Sequence, residues 1–391
     1  MNMKLSRRHF LDIAAVYGSR AAFASAALGI VPGQAFLAKE ARAQGTAKYK
    51  LRVGTIMSET NELHLQSGIY QFTKLVEQKT DGAVQFQIVG SGQACSENTC
   101  GSRVTSGVLD VGTSSPQNLG SVFPYSIAMD FPFLWSDRTA YLSFFHNKDS
   151  NKLYRDVFRK AYGIELLYGS GEMRNVLLGK KYADKPAIKT FKDFQGAKLR
   201  ITNSVMIANF IKSIGANPIP LAWTETLEGL KSGVVDGAET WPGAATGFGM
   251  HTVLSHDVPL EFAPGYEVVF MTSAAFNKFP DKIKEIILEA AYETQNSAYA
   301  GVDLAKNKYI GNGANPDKDS AYTKAGLKLQ TLSNAELAEF KNAASIERNA
   351  ALYSDVRKQL DSVAGLDVYG AMKEAAARYN GKPHSSQKWW A

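Results

Sequence analysis

Three groups of side chains in this 391-residue chain have types and spacings that could do chemistry. Cys95 and Cys100 bracket the run Ser96-Glu97-Asn98-Thr99. That separation is not the C-x-x-C of a redox pair, and no set of His or acidic partners completes a zinc site beside it. A local disulfide fits better in an oxidising compartment, provided the backbone brings the two sulfurs together. Among the histidines beyond residue 43 (His64, His146, His251, His256, His384), His251 and His256 are five apart and miss the i, i+4 face of an H-E-x-x-H helix. These two are expected in loops or at the surface. Asp236 and Glu239 could act as the acid/base pair of a glycosidase, but Asp236 closes a Val-Val-Asp-Gly run that reads as a strand ending in a turn. No G-x-G-x-x-G follows a strand, and no P-loop or G-x-S-x-G elbow is present. An enzyme is the weaker class.

The N-terminus reads as an export leader. Ser6, Arg7, Arg8, His9, Phe10 and Leu11 form a twin-arginine pattern, followed by a weakly apolar Ala/Gly-rich stretch and Ala41-Arg42-Ala43 for signal peptidase. Asp12 and Arg20 depart from the usual pattern. Residues 1–43 are therefore expected to be removed, leaving a periplasmic chain. An uncleaved anchor is disfavoured by Arg20 and Pro32 within the stretch. The net charge of +7 includes six basic and two acidic residues of that leader, so about +3 remains. This scattered excess excludes a nucleic-acid partner.

The remaining chain alternates in the manner of α/β proteins. Residues 50–56, 83–89 and 108–113 read as strands, with an amphipathic helix carrying Leu65, Ile69, Phe72 and Val76 between the first two. The cysteines fall in a Gly/Ser-rich loop. The pattern recurs as strand 197–202, helix 205–214, strand 217–221, helix 224–231 and strand 234–239. Pro264-Gly265 breaks it, and 266–272 reads as a strand crossing away. A helix with Ile283, Ile286, Ile287 and Ala290 on one face follows, and Ser333-x-x-Glu336 forms a capping box. Two α/β lobes with a cleft between them are expected, each with parallel pairing and crossover helices.

Three segments resemble the substrate-binding proteins of tripartite ATP-independent periplasmic (TRAP, DctP-type) transporters. They are Phe194-Gln195-Gly196-Ala197-Lys198-Leu199-Arg200-Ile201, then Gly215-Ala216-Asn217-Pro218-Ile219-Pro220, then Trp223-Thr224-Glu225 through Gly233-Val234-Val235-Asp236-Gly237-Ala238-Glu239. The resemblance implies a fold like other periplasmic binding proteins, each lobe a mixed sheet flanked by helices. Its lobes would be 44–172 with about 266–305, and 173–265 with about 306–391 and the C-terminal helices. It also implies that Arg200 binds a ligand carboxylate. A planar guanidinium fork suits that anion, and Arg200 sits near a helix expected to start at Ser204. Arg174 corresponds to a second family arginine, either touching ligand or bracing Arg200. Trp223 corresponds to an aromatic pocket wall. Thr240 stands where many relatives have Asn, and Trp241 adds a second aromatic. Glu239 leaves room for a metal ion beside the ligand, although no cofactor is expected. Ser115 and Glu97 would reach in from the first lobe, Glu97 having a solvated loop position as its alternative. The implied partners are a small organic acid and the TRAP membrane permease. A sensor reporting to a membrane kinase would use the same clamp.

Overall fold

The computed structural model describes residues 47–59, 67–311 and 317–391. The expected leader, His64 and Leu65 lie outside the described residues. Tyr49–Gly54 forms β1, whose parallel neighbours are β2 (Val84–Val89) and β3 (Val111–Ser114). Helix α1 (Ile69–Lys79) crosses from β1 to β2 with Ile69, Phe72 and Val76 buried, the stripe expected from their spacing. The cysteines do not sit in a loop throughout. Ser96 opens helix α2 (Glu97–Thr105), whose reciprocal Ser96/Thr99 capping box offsets the poor helix propensity of its Ser, Thr and Gly residues. Cys100 lies one turn into α2 and is disulfide-bonded to Cys95.

The chain then builds α3 (Arg138–Phe145) and α4 (Asp156–Tyr162) before β4 (Ile164–Met173), all ten residues of which are buried. Arg174 alone separates β4 from β5 (Asn175–Gly179). From β5 the chain continues through β6 (Lys198–Ile201), α5 (Val205–Ser213), β7 (Asn217–Pro220), α6 (Thr226–Ser232) and β8 (Gly237–Thr240). Short α7 (Pro242–Gly247) leads to β9 (Leu254–Val258), and β10 (Pro264–Thr272) returns to the first sheet.

The two sheets run β2-β1-β3-β10-β4 and β11-β9-β5-β8-β6-β7, where β11 is Lys328–Leu329. Parallel pairing alone does not describe either. β10 is antiparallel to both β3 and β4, and β5 is antiparallel to both β8 and β9. The returning strand enters its sheet from the opposite direction, so each sheet is mixed. Side chains alternate between two cores in the two-residue period of a strand: Val268 and Phe270 face one, Val269 and Met271 the other. The second sheet is likewise covered on both faces, with Val176 and Leu178 on one and Leu177 on the other.

Helix α8 (Asp281–Tyr309) buries Ile287, Ala290 and Ala291 against the first sheet, and Ile310 just beyond it joins a core of the second. Near the C-terminus, α9 (Asn334–Ala343) starts with the expected Ser333/Glu336 capping box. Helix α10 (Ala350–Ala364) accepts a bond from Asn209 of α5 at its Leu352 carbonyl, and α11 (Val368–Tyr379) packs on α3. Among the described residues no helix is long and apolar enough to cross a membrane.

Candidate functional site

Between the two sheets lies a narrow cavity of about 20 Å³, lined by side chains from both. Arg200, Arg174, Trp223, Thr240, Trp241, Ser115 and Glu97 all line it. Glu239 stands directly behind the two arginines.

The placement of Arg200 follows from strand geometry. It is the third residue of β6, 1% exposed, and its Nε donates to the Leu221 carbonyl at 3.0 Å. Nη1 is 3.7 Å from Glu239 and finds no hydrogen-bond partner. Burial lowers Arg200 to about 10, with Glu239 opposing the shift, so the guanidinium stays charged at neutral pH. The Trp223 ring lies 5.2 Å from its guanidinium carbon. The helix expected beside it begins at Ser204, whose hydroxyl accepts from the Ile207 amide.

Arg174 is held on three sides. Its three nitrogens donate to Glu239 at 2.6 Å, Gln117 at 3.0 Å and the Pro264 carbonyl at 3.2 Å. Glu239 accepts a further bond from the Thr202 amide at 2.8 Å. Both its oxygens are engaged and two guanidiniums flank it, so a metal ion beside Glu239 does not fit. Gln117 donates on to Asp130 at 2.5 Å, and Asp130 accepts from Ser204 at 3.3 Å. Burial raises Asp130 to about 7 against the pull of Arg174. This chain of bonds joins Asp130 and Gln117, between β3 and α3, to Arg174 at the junction and to Ser204 and Glu239 beside the second sheet.

From the first lobe, Ser115 follows β3 and Glu97 opens α2. Glu97 is 8% exposed, which rules out the solvated alternative. Its carboxylate accepts from the Ser115 amide at 3.3 Å and the Asn118 side-chain amide at 2.8 Å. Burial raises its pKa, with the Ser115 amide, Arg200 and Arg174 opposing. Three more polar atoms of lining residues have no hydrogen-bond partner: the indole nitrogens of Trp223 and Trp241 and the Thr202 hydroxyl. Trp241 reaches its position only because residue 265 is Gly; a Cβ there would lie 2.6 Å from the indole. Asn118, Thr202 and Phe248 escaped sequence reasoning. Asn118 had one local signal, three residues after Ser115 in a Ser-Pro turn.

The other candidates separate. Asp236 accepts from Lys181 and the Lys198 amide, and these outweigh burial to hold it below the usual carboxylate range. His251 is partly buried in a short turn. His256 is neither in a loop nor at the surface: it is 4% exposed in β9, with Nδ1 3.0 Å from the Ser255 hydroxyl. Among the described residues no cluster of His, Cys, Asp and Glu could hold a metal ion.

This architecture has known counterparts. A TRAP periplasmic solute-binding protein from Desulfovibrio salexigens with bound orotic acid superimposes with a TM-score of 0.71 at 23% identity, over 85% of this chain and 99% of that one. A solute-binding protein of Sulfitobacter sp. is 24% identical over 68% of this chain and 78% of its own. The ectoine-binding periplasmic protein TeaA of Halomonas elongata is 33% identical over 43% of this chain and 48% of its own. The profile of bacterial extracellular solute-binding protein family 7 (DctP) matches residues 53–350. With two mixed sheets closing on one polar cavity and that profile spanning most of its length, the chain belongs to the TRAP-type solute-binding family, a family of receptors and not of enzymes.

Proposed function

We propose that this receptor is exported through a twin-arginine leader, captures a small organic carboxylate in the periplasm with Arg200, and delivers it to a TRAP membrane permease. One observation carries the arginine clamp: a buried, charged guanidinium lines the interlobe cavity with a nitrogen left unpaired. Buried donors are rarely left so, and a carboxylate oxygen would supply the missing acceptor. Glu239 and Arg174 hold the fork in place. The lobes would be 44–172 with about 266–305, and 173–265 with about 306–391. Ser115 and Glu97 close from the first, Thr240, Trp223 and Trp241 from the second. Relatives named for ectoine and related structures holding orotic acid or succinate support a compact acid.

Calorimetry on the purified receptor, with ligands drawn from a thermal-shift screen of organic acids, tests the clamp. Arg200→Ala should lose on the order of 2–4 kcal/mol of binding, and Arg200→Lys should recover only part, because a point charge lacks the fork. Wild-type affinity in the Ala variant removes Arg200 from the site.

A further inference from the structure

The chain does not trail off after α11. Beyond the residues matched by the family profile, 383–391 run back along α8 in the opposite direction, between that helix and α3. His384 stacks on Tyr299 at 3.8 Å, the Ser386 carbonyl accepts from the Tyr292 hydroxyl at 3.4 Å, and Lys388 pairs with Glu289. On the other side, the Ser385 amide donates to the Ser143 hydroxyl at 3.1 Å and the Gln387 amide to the His146 carbonyl at 2.9 Å. Trp389 ends buried, 4.0 Å from the Arg155 guanidinium carbon and in one core with Ile287, Ala290 and Ala291 of α8. The segment is a strap, and α8 is what it holds.

Two rings under the strap depend on being neutral. His146 Nε2 lies 3.0 Å from the Gly169 carbonyl, which assigns the hydrogen to that nitrogen and leaves Nδ1 to accept. Its donor, at 3.2 Å, is His384 Nε2. A proton on His146 Nδ1 would set two N–H groups head to head. The charged groups acting on the pair are cations: Arg138 of α3 on both rings, and Arg155 on His146. Asp303 of α8 is paired with Arg138 at 3.4 Å, and Glu289 with Lys388. Burial lowers His146 to about 3 and His384 to about 4, with the arginines adding to the shift.

We propose that the strap is an acid-opened latch on α8: proton uptake by His146 lifts 383–391 away while both sheets stay folded, leaving α8 held by its inner stripe alone. Freed rings titrate near 6.5 and seated rings below it, so opening binds protons. The latch is therefore fully closed above pH 6.5 and weakens as pH falls towards 4.

Hydrogen exchange of the purified receptor, read as amide protection corrected for the intrinsic rate at each pH, tests this. Between pH 6.5 and 4, protection of the Ser385 and Gln387 amides should fall by up to about a hundredfold per unit, tenfold for each histidine. Amides of β1 and β2 should keep theirs. His384→Phe keeps a ring on Tyr299 but removes one titrating group, so the fall should drop to about tenfold per unit. A chain ending at Lys382, shown by its melting curve to be folded, should exchange the 289–303 stretch of α8 at neutral pH as fast as the full chain does in acid. Strap protection that ignores pH, a fall shared equally by β1 and β2, a slope unchanged in His384→Phe, or an α8 indifferent to the truncation each overturns the proposal.

Discussion

Glu267 sits in the middle of β10, 3% exposed, with the Thr113 side chain as a polar neighbour. Burial pushes its pKa up to about 8. The folded chain therefore keeps this proton through neutral pH, whereas the unfolded chain releases it near 4.5. The folded state binds more protons in that window, so stability falls as pH rises from about 4.5 to about 8 and is level above it. Glu267→Gln should remove this slope. Its advantage over wild type in urea midpoints should grow with pH by up to about 1.4 kcal/mol per unit. Arg200 and Trp223 were legible because they stand in short motifs whose chemistry is local. Gln117 and Asp130 were not, since their roles come from partners more than ten residues away, and Glu267 was not, since its burial comes from strands paired across the sheet. Arg174 was legible as an arginine of the site, but its bonds to Glu239, Gln117 and Pro264 were not, for the same reason.

At the scale of elements, α2 depends on its covalent staple. Cys95 precedes the Ser96 cap and Cys100 follows one turn later, so the bond closes a small loop around Glu97. Breaking it, by reductant or by Cys95→Ser with Cys100→Ser, should lower stability by about 2 kcal/mol in thermal melts. Solute affinity should fall with it, because Glu97 loses its fixed position. The helix itself was unreadable: its apolar periodicity is weak, and capping plus the disulfide supply what propensity lacks. β4 hid for the opposite reason, being buried on both faces and so carrying no alternation. The βα units around Arg200 were readable because their strands are short and their helices keep one apolar stripe. The antiparallel insertions were not, since pairing direction leaves no mark on a single strand.

At the scale of the whole molecule, apolar contact spans the two sheets. Trp223 and Phe248, from the second lobe, meet edge to face at 5.4 Å and also pack on the first-lobe cluster that contains Ile56 and Met57. Trp223→Ala should shift the ligand-free receptor towards an open form, read as a larger radius of gyration in X-ray scattering, and should weaken solute binding. An unchanged radius would separate this contact from closure. The two-lobe plan itself was visible in the repeated strand–helix grammar, and the Pro264-Gly265 break marked the strand that returns to the first sheet. Another crossing is Arg174, a single residue between β4 and β5 whose side chain steadies the anchor. If Arg200 holds the solute as proposed, bending the backbone there would pull on the Glu239 ion pair beside it, and prying the halves apart would slacken the grip in the same stroke. A transporter that merely spreads the jaws would thereby also unload the cargo.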